Sequence, residues 1–407
     1  MIRHSRRSVL ATLAGGGVAI AAERGMRPAH AQGQDVIRLG ASLSLTGRLS
    51  TEGRLVRDGY DFAVRHLNQR GGLELGGKRY RFEIKYYDDE SDTNTAVRLT
   101  ERLIVEDKIP LLLGPYSSGA TVATSTVAER HNVPMVAAHA AATSIYERGY
   151  KNIFATLNTV DQYTLNLIKL AAEQSPRPKT LALIHENALF PQLGIEAASR
   201  QGKDHGFDVV YLEKYPTGNR DFSPMLAAVR GRNPDVFIVA GYTQDMILLT
   251  KQARELNLRP KIMGYLLGPT LPGFVDSLKE AAENVVEPVQ WTPSSDSKDD
   301  VLGYTAKEFA ELFKKEAGYD PDYHPPQSAA AVLVYYHAIR KAGSLEPQAV
   351  RNAIAQTNIQ TFYGGVRFNE KGQNVAKGMS VIQIQNGRPV LVYPAGAGAG
   401  KFNYPAS

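Results

Sequence analysis

The chain contains no cysteine among its 407 residues. Disulfides, thiolate metal sites and cysteine nucleophiles are therefore excluded, and so is the thiol that a bacterial lipoprotein needs at its cleavage site. Tryptophan occurs once, at Trp291. A strong charge of either sign is also missing. The formal net charge is +6, but Arg3, Arg6, Arg7, Arg24 and Arg27 face only Glu23 in the first 31 residues. That segment alone carries a net +4. The remainder holds roughly +2, too little for a nucleic-acid surface. No long apolar run is present either: the stretch Val9 to Ala22 is short and glycine-rich, a poor membrane span.

What is present at the N-terminus reads as an export signal. A basic start precedes the mild apolar run, and Ala29-His30-Ala31 fits the small-x-small cleavage rule. Ser5-Arg6-Arg7-Ser8-Val9-Leu10 fits the twin-arginine pattern. Residues 1–31 are thus expected to be a cleaved, twin-arginine-type signal, with the mature protein starting near Gln32 in the periplasm.

A chain of 407 residues exceeds what one compact core usually serves, so two lobes are expected. Short apolar runs alternate with amphipathic stretches. YRFEIKYY (80–87), LLL (111–113), TLALI (180–184) and DVFIVA (235–240) read as strands. AVRLTERLIVE (96–106) and MILLTKQAREL (246–256) read as helices. This alternation predicts βαβ units, an α/β fold with a mostly parallel sheet, and runs without polar alternation suit strands buried on both faces.

In such sheets ligands collect beyond the carboxyl ends of strands, where helix N-termini also point. LLLGPYSSGAT (111–121) sits at one such place. It combines unpaired backbone N–H groups and the positive end of a helix dipole with the hydroxyls of Ser117 and Ser118, which suits a carboxylate or phosphate. A serine N-cap with no ligand is the alternative. The segment has no phosphate-loop lysine and misses the dinucleotide spacing. Catalytic motifs fail as well. His185-Glu186-Asn187 begins like a zinc-protease motif, but Leu189 stands where its second histidine belongs. No GxSxG elbow occurs, and YDDESD (87–92) lacks the glycine and terminal glutamate of a calcium loop. Asp92, Thr93 or Asn94 is better read as a helix cap. No enzyme activity, cofactor or metal is expected.

Several short landmarks recur in order: GASLSLTG (40–47), NQRGG (68–72), YDD (87–89), GPYSS (114–118), RGY (148–150), RDFS (220–223), GY (241–242) and FNEKG (368–372). With them, residues 35 to about 394 resemble the leucine/isoleucine/valine-binding proteins, periplasmic receptors of branched-chain amino acid ABC importers. The resemblance implies the type I periplasmic binding protein fold: two doubly wound lobes, three hinge crossovers and a ligand cleft. On this chain it implies an N-terminal lobe of 35–158 plus 290–364, a C-terminal lobe of 159–289 plus 365–395, and a loose tail at 396–407. Trp291 then falls near a crossover, facing the hinge or buried in a core.

The resemblance also implies site residues. Ser118 falls on the family's carboxylate-binding serine, with Ser117 beside it. The second carboxylate loop corresponds to 136–143, where Ala141 stands in place of a hydroxyl residue and His139 is a neighbour. The acid that pairs with a ligand's ammonium corresponds to Leu266, and burying an amine against leucine costs several kcal/mol. Tyr242 keeps the family's tyrosine and Phe190 its aromatic clamp, with Tyr116 and Tyr163 as wall residues. Glu52 stands where amino-acid receptors place an aromatic; it either replaces the missing acid or pairs with Arg48 or Arg54. The carboxylate loop is retained while the amine-binding acid is lost. The expected ligand is thus a small carboxylate, aromatic or a related organic acid, and GPYSS and VPMVAA (133–138) resemble the aromatic-acid branch. An amino acid is the alternative ligand. The implied partners are the permease subunits of an ABC importer, or, in another class, a separate sensor to which a monomeric receptor presents its ligand.

Overall fold

The computed structural model describes residues 35–271, 273–396 and 399–405; the expected signal segment lies outside them. The chain starts with β1 (Asp35–Leu43), α1 (Ser50–Gln69), β2 (Leu73–Leu75), β3 (Lys78–Asp88), α2 (Thr93–Val105), β4 (Leu112–Leu113), α3 (Ser118–Arg130), β5 (Met135–Ala137) and β6 (Ile153–Ala155). These strands form one sheet in the order β2-β3-β1-β4-β5-β6, parallel except for the β2–β3 hairpin. Asp92 caps α2 through the Thr95 amide at 2.7 Å; β4 and β5 are buried throughout, and β1 is buried from Leu39 to Leu43.

The chain then passes to a second sheet with α4 (Val160–Ala172), β7 (Thr180–Glu186), α5 (Leu189–Asp204), β8 (Asp208–Tyr215), α6 (Ser223–Arg232), β9 (Val236–Ala240), α7 (Thr243–Glu255), β10 (Ile262–Tyr265), α8 (Phe274–Leu278) and β11 (Val286–Val289). It returns to the first lobe for α9 (Ala306–Ala317), α10 (His324–Ala342), α11 (Pro347–Ala355) and the hairpin β12 (Asn358–Thr361) and β13 (Gly364–Arg367), then crosses again to β14 (Ser380–Gln385) and β15 (Arg388–Tyr393). The second sheet runs β15-β14-β11-β10-β9-β7-β8, with β14 and β15 antiparallel additions to a parallel core.

Helix α10 passes through the interior of the first lobe. Its first twelve residues are all buried, and the small side chains Ala329, Ala330 and Ala331 allow that approach. Pro325 and Pro326 occupy its first turn, where a missing N–H costs nothing. The Tyr335 hydroxyl donates towards the carbonyls of Leu112 (2.6 Å) and Pro134 (2.9 Å), tying α10 beneath β4 and the entry to β5. Gly59 of α1 is required there, because a Cβ would meet the Pro325 carbonyl oxygen at 2.3 Å. The head of α10 is therefore fixed beside the carboxyl ends of β4 and β5.

Three chain passages join the lobes, and their polar groups are bonded to one another. The Asn158 amide donates to Gln290 Oε1 and Gln290 Nε2 donates to the Asn158 carbonyl, both at 3.2 Å. Asn158 Nδ2 donates to the Lys377 carbonyl at 2.9 Å. The third passage lies later than the boundary expected at 364/365. Residues 368–374 still belong to the first lobe: Phe368 packs on Phe154 at 5.3 Å, the Ala155 amide donates to the Gly372 carbonyl, and Asn374 Nδ2 donates to the Thr156 carbonyl. Trp291 is buried at the second passage, donating Nε1–H to the Phe362 carbonyl at 2.8 Å and stacking edge-on with Phe309. Residues 399–405 are not a loose tail. The Gly400 amide donates to Leu391, Asn403 and Gln383 exchange bonds, and the Tyr404 hydroxyl donates to the Pro176 carbonyl. Among the described residues no helix is long and apolar enough to cross a membrane.

Candidate functional site

A cavity lies between the two lobes. The run LLL ends as β4, and Gly114-Pro115 turns the chain into α3. Gly114 admits no side chain, since a Cβ would stand 2.8 Å from the Ala137 Cα at the end of β5. This close approach brings Tyr116, Ser117 and Ser118 beside the loop that carries His139 and Ala141, and all five line the cavity. Ser117 occupies the N-cap position of α3, yet its side chain makes no capping bond. Ser118, 2% exposed, accepts the Ala142 amide at 3.1 Å, so its hydroxyl hydrogen remains available to donate.

The second lobe contributes Tyr163 from α4, Phe190 from α5, Tyr242 at the start of α7, and Leu267 after β10; Leu157 lines the crossover. The aromatic rings are in contact. Phe190 lies 5.7 Å from Tyr163 and 6.4 Å from Tyr242, and Tyr242 lies 6.1 Å from Tyr116 across the cleft. Burial raises the Tyr116, Tyr163 and Tyr242 phenols above their ordinary range, so they stay neutral.

Two sequence expectations are corrected here. Leu266 does not line the cavity. Its amide donates to the Val239 carbonyl at 3.0 Å, and its side chain lies beneath α5, with Cδ1 2.5 Å from where a Cβ on Gly194 would stand. The next residue, Leu267, faces the cavity instead. Glu52 is buried but does not line the cavity either. Its carboxylate accepts the Thr243 hydroxyl at 2.5 Å and the Thr243 amide at 3.4 Å, reaching across to the first turn of α7. Arg48 pairs not with Glu52 but with Glu186 of the other lobe, at 2.7 Å, and lies over the Tyr242 ring at 4.9 Å. These contacts hold the two lobes against each other at the cleft rim.

The sequence reading missed Tyr323, His324 and Gln327 at the head of α10, which complete the first-lobe wall. Their signal was readable: a polar His and Gln three residues apart, on one face of a helix start marked by Pro325-Pro326, ahead of an otherwise apolar run. They organise a buried network. Gln327 Nε2 donates to the Ala138 carbonyl and to His139 Nδ1 (3.0 Å). His139 Nε2 donates to Ser328 Oγ at 2.8 Å, which in turn donates to the His324 carbonyl. Both nitrogens of His139 are thereby committed, and burial together with neighbouring His324 lowers its pKa well below the ordinary imidazole range. The Tyr363 hydroxyl lies 2.9 Å from both Gln327 Oε1 and Gln290 Oε1, which links this wall to the crossovers.

Among the described residues the cavity lining includes no Asp, Glu, Lys or Arg, and no cluster of three potential metal ligands occurs. Two sheet-based lobes joined by three crossovers, with an aromatic-walled cleft between them, are the architecture of a solute-binding protein. The sequence matches the profile of the periplasmic binding protein family over residues 36–389, and the chain belongs to that family, whose members bind solutes rather than transform them. It is 27% identical over 401 residues to the Leu/Ile/Val-binding protein homolog 7 of Brucella suis biovar 1 (strain 1330), covering 94% of this chain and 96% of that one. Among solved structures it resembles the leucine binding protein LivK of Thermotoga maritima MSB8, with a TM-score of 0.78 at 22% identity, covering 87% and 97% of the two chains. It also resembles a solute binding protein of an ABC transporter from R. palustris in complex with benzoate, with a TM-score of 0.77 at 17% identity, covering 90% and 99%.

Proposed function

We propose that this protein is the periplasmic substrate-binding component of an ABC importer of the branched-chain amino acid type, and that its ligand is a small carboxylate without an α-amino group, an aromatic or related organic acid. One observation carries the ligand class: the cavity offers hydroxyl donors and aromatic walls but no carboxylate. An amino acid brings an ammonium as well as a carboxylate. Enclosing that ammonium without a counter-ion costs several kcal/mol. Glu52 is committed to Thr243 and does not answer that need.

The ligand's carboxylate docks at Ser118 and the first turn of α3, where backbone N–H groups have no intrahelical partner. Phe190, Tyr242 and Leu267 then cover its apolar body. Binding shifts the open–closed equilibrium only by the ligand's differential affinity for the closed cleft, and the closed form is what the permease subunits recognise. Residues 1–31 would direct export by the twin-arginine route, which blocking that route in the native host would test as loss of the periplasmic form.

The deciding experiment is calorimetry of the mature protein with benzoate, cinnamate, hexanoate and leucine. Saturable binding of an acid with no leucine response is expected. Micromolar leucine binding without any response to the acids would defeat this reading.

A further inference from the structure

An anion enclosed in an apolar cleft needs positive charge or several strong donors to replace its lost water. The lining of this cavity, among the described residues, has no lysine or arginine. Arg48, at the rim, is paired with Glu186. The titratable lining groups are therefore tyrosines and two histidines. The phenols of Tyr116, Tyr163, Tyr242 and Tyr323 are all raised by burial and stay neutral. His139 has both ring nitrogens bonded within the network of Gln327 and Ser328.

His324 differs from all of them. It is fully buried, and its Nδ1–H donates to Asp322 Oδ2 at 2.5 Å. The other oxygen of Asp322 accepts the His324 amide at 3.2 Å. Nε2 of His324 is buried and has no partner. The ring stacks between Tyr323 at 4.3 Å and His139 at 4.9 Å, with Tyr116 of the serine loop 5.7 Å away. Held on three sides, the imidazole has one free atom, and its residue lines the ligand cavity.

We propose that His324 is the counter-ion of the bound acid: as an imidazolium oriented by Asp322, it donates Nε2–H to the ligand's carboxylate. Asp322 offsets the positive end of α10, which would otherwise oppose a cation at that position. The geometry is that of a carboxylate–imidazolium–carboxylate bridge, in which a charge-assisted bond is stronger than a neutral one. This rests on the acid reading above and extends it, because binding of the anion becomes coupled to protonation. The ligand stays ionised above pH 6, so forming the bridge takes up one proton with the anion wherever the free site lacks it, and affinity should then decline as pH rises. The groups facing His324 are Asp322, Tyr323, His139 and Tyr116. Beyond them, Glu287 on β11 senses the charge of Asp322, and burial raises its carboxyl to about 8, so Glu287 titrates within the pH range of the test.

The test is calorimetry of benzoate, cinnamate and hexanoate binding to the mature protein from pH 6 to 9, in buffers of different ionisation enthalpy. For an acid that binds, affinity should fall by about tenfold per pH unit at the alkaline end, with uptake of about one proton per ligand. Glu287→Gln should keep that slope. His324→Gln, checked for folding by its melting curve, should weaken binding at pH 6.5 by at least about tenfold and flatten the slope. The slope and proton uptake of the unsubstituted protein decide the matter even if the variant does not fold. Acid binding without pH dependence, or a folded His324→Gln within twofold of the parent, overturns the role of His324 and leaves the acid reading standing. Silence from all three acids overturns the acid reading, and this inference with it.

Discussion

The two walls of the cleft are made from the same kind of fold and carry different chemistry. The first-lobe wall presents Ser117, Ser118, His139, His324 and Gln327, held by α3, α10 and the loop after β5. The second-lobe wall presents Tyr163, Phe190, Tyr242 and Leu267, mostly rings and apolar carbon. Its buried acids are turned elsewhere: Glu186 binds Arg48, and Glu287 accepts the amides of Gly268 at 3.2 Å and Thr270 at 2.7 Å. The contrast separates two tasks. A polar group needs a partner fixed in place before the ligand arrives, so recognition is concentrated on the wall with the denser hydrogen-bond network. On the proposed closure the other wall would exclude water, a task that requires shape and apolar area, at about 25 cal/mol per Å² buried.

The largest expected effect would convert one wall into the other's opposite. Leu267→Glu places a carboxylate among the second-lobe rings and should abolish acid binding, a loss of at least about 3 kcal/mol seen by calorimetry. Leu266→Glu should instead lower the melting temperature, because that side chain lies under α5. If the two variants behaved alike, the assignment of facing residues would be wrong.

Glu287 sharpens the comparison through pH. Its folded pKa lies near 8, above the ordinary carboxyl value, because burial disfavours the charge. The folded state therefore binds a proton that the unfolded chain releases. Stability should fall as pH rises from about 4.5 to 8, by on the order of a few kcal/mol for this group. Glu287→Gln should remove that part of the decline in a denaturant series across the same range.

Ser118→Ala should weaken acid binding by about 1–3 kcal/mol, as for a lost hydrogen bond to a charged group. Unchanged affinity would mean that the first-lobe hydroxyl only braces the Ala142 amide. The smallest effect is expected at the rim. Arg48→Ala leaves Glu186 with the Thr217 hydroxyl but no cation; because burial already raises the Glu186 carboxyl towards protonation and Arg48 is about a quarter exposed, the loss should be near 1 kcal/mol. It should appear as weaker binding and a larger radius of gyration in solution scattering.

The polar wall was only partly legible beforehand. Ser118 could be placed because a buried apolar run, a Gly-Pro turn and two serines in a row define a strand end meeting a helix start. The helix start at His324 was marked locally, but its place beside Ser118 was not, because nothing local connects residue 324 to residue 118. Their meeting depends on α10 returning from the second lobe, on Gly59 admitting the Pro325 carbonyl, and on Tyr335 anchoring the helix beneath β4. Leu266 shows a finer limit. The resemblance pointed to this segment, but a difference of one residue decides whether a side chain faces the cavity or lies beneath α5. Glu52 shows another: its carboxylate is committed to the opposite lobe, a contact that exists only when both lobes are folded.

By itself, then, the sequence determined the alternating α/β architecture and the serine loop at a strand's carboxyl end. These follow from local periodicity and turn chemistry, which act over a few residues. Tertiary structure alone decided which side chains face the cavity, where the third crossover lies and how the last residues dock. It also left one buried imidazole nitrogen unpaired, because such outcomes depend on contacts between segments far apart in the chain, where packing and charge pairing override local preference.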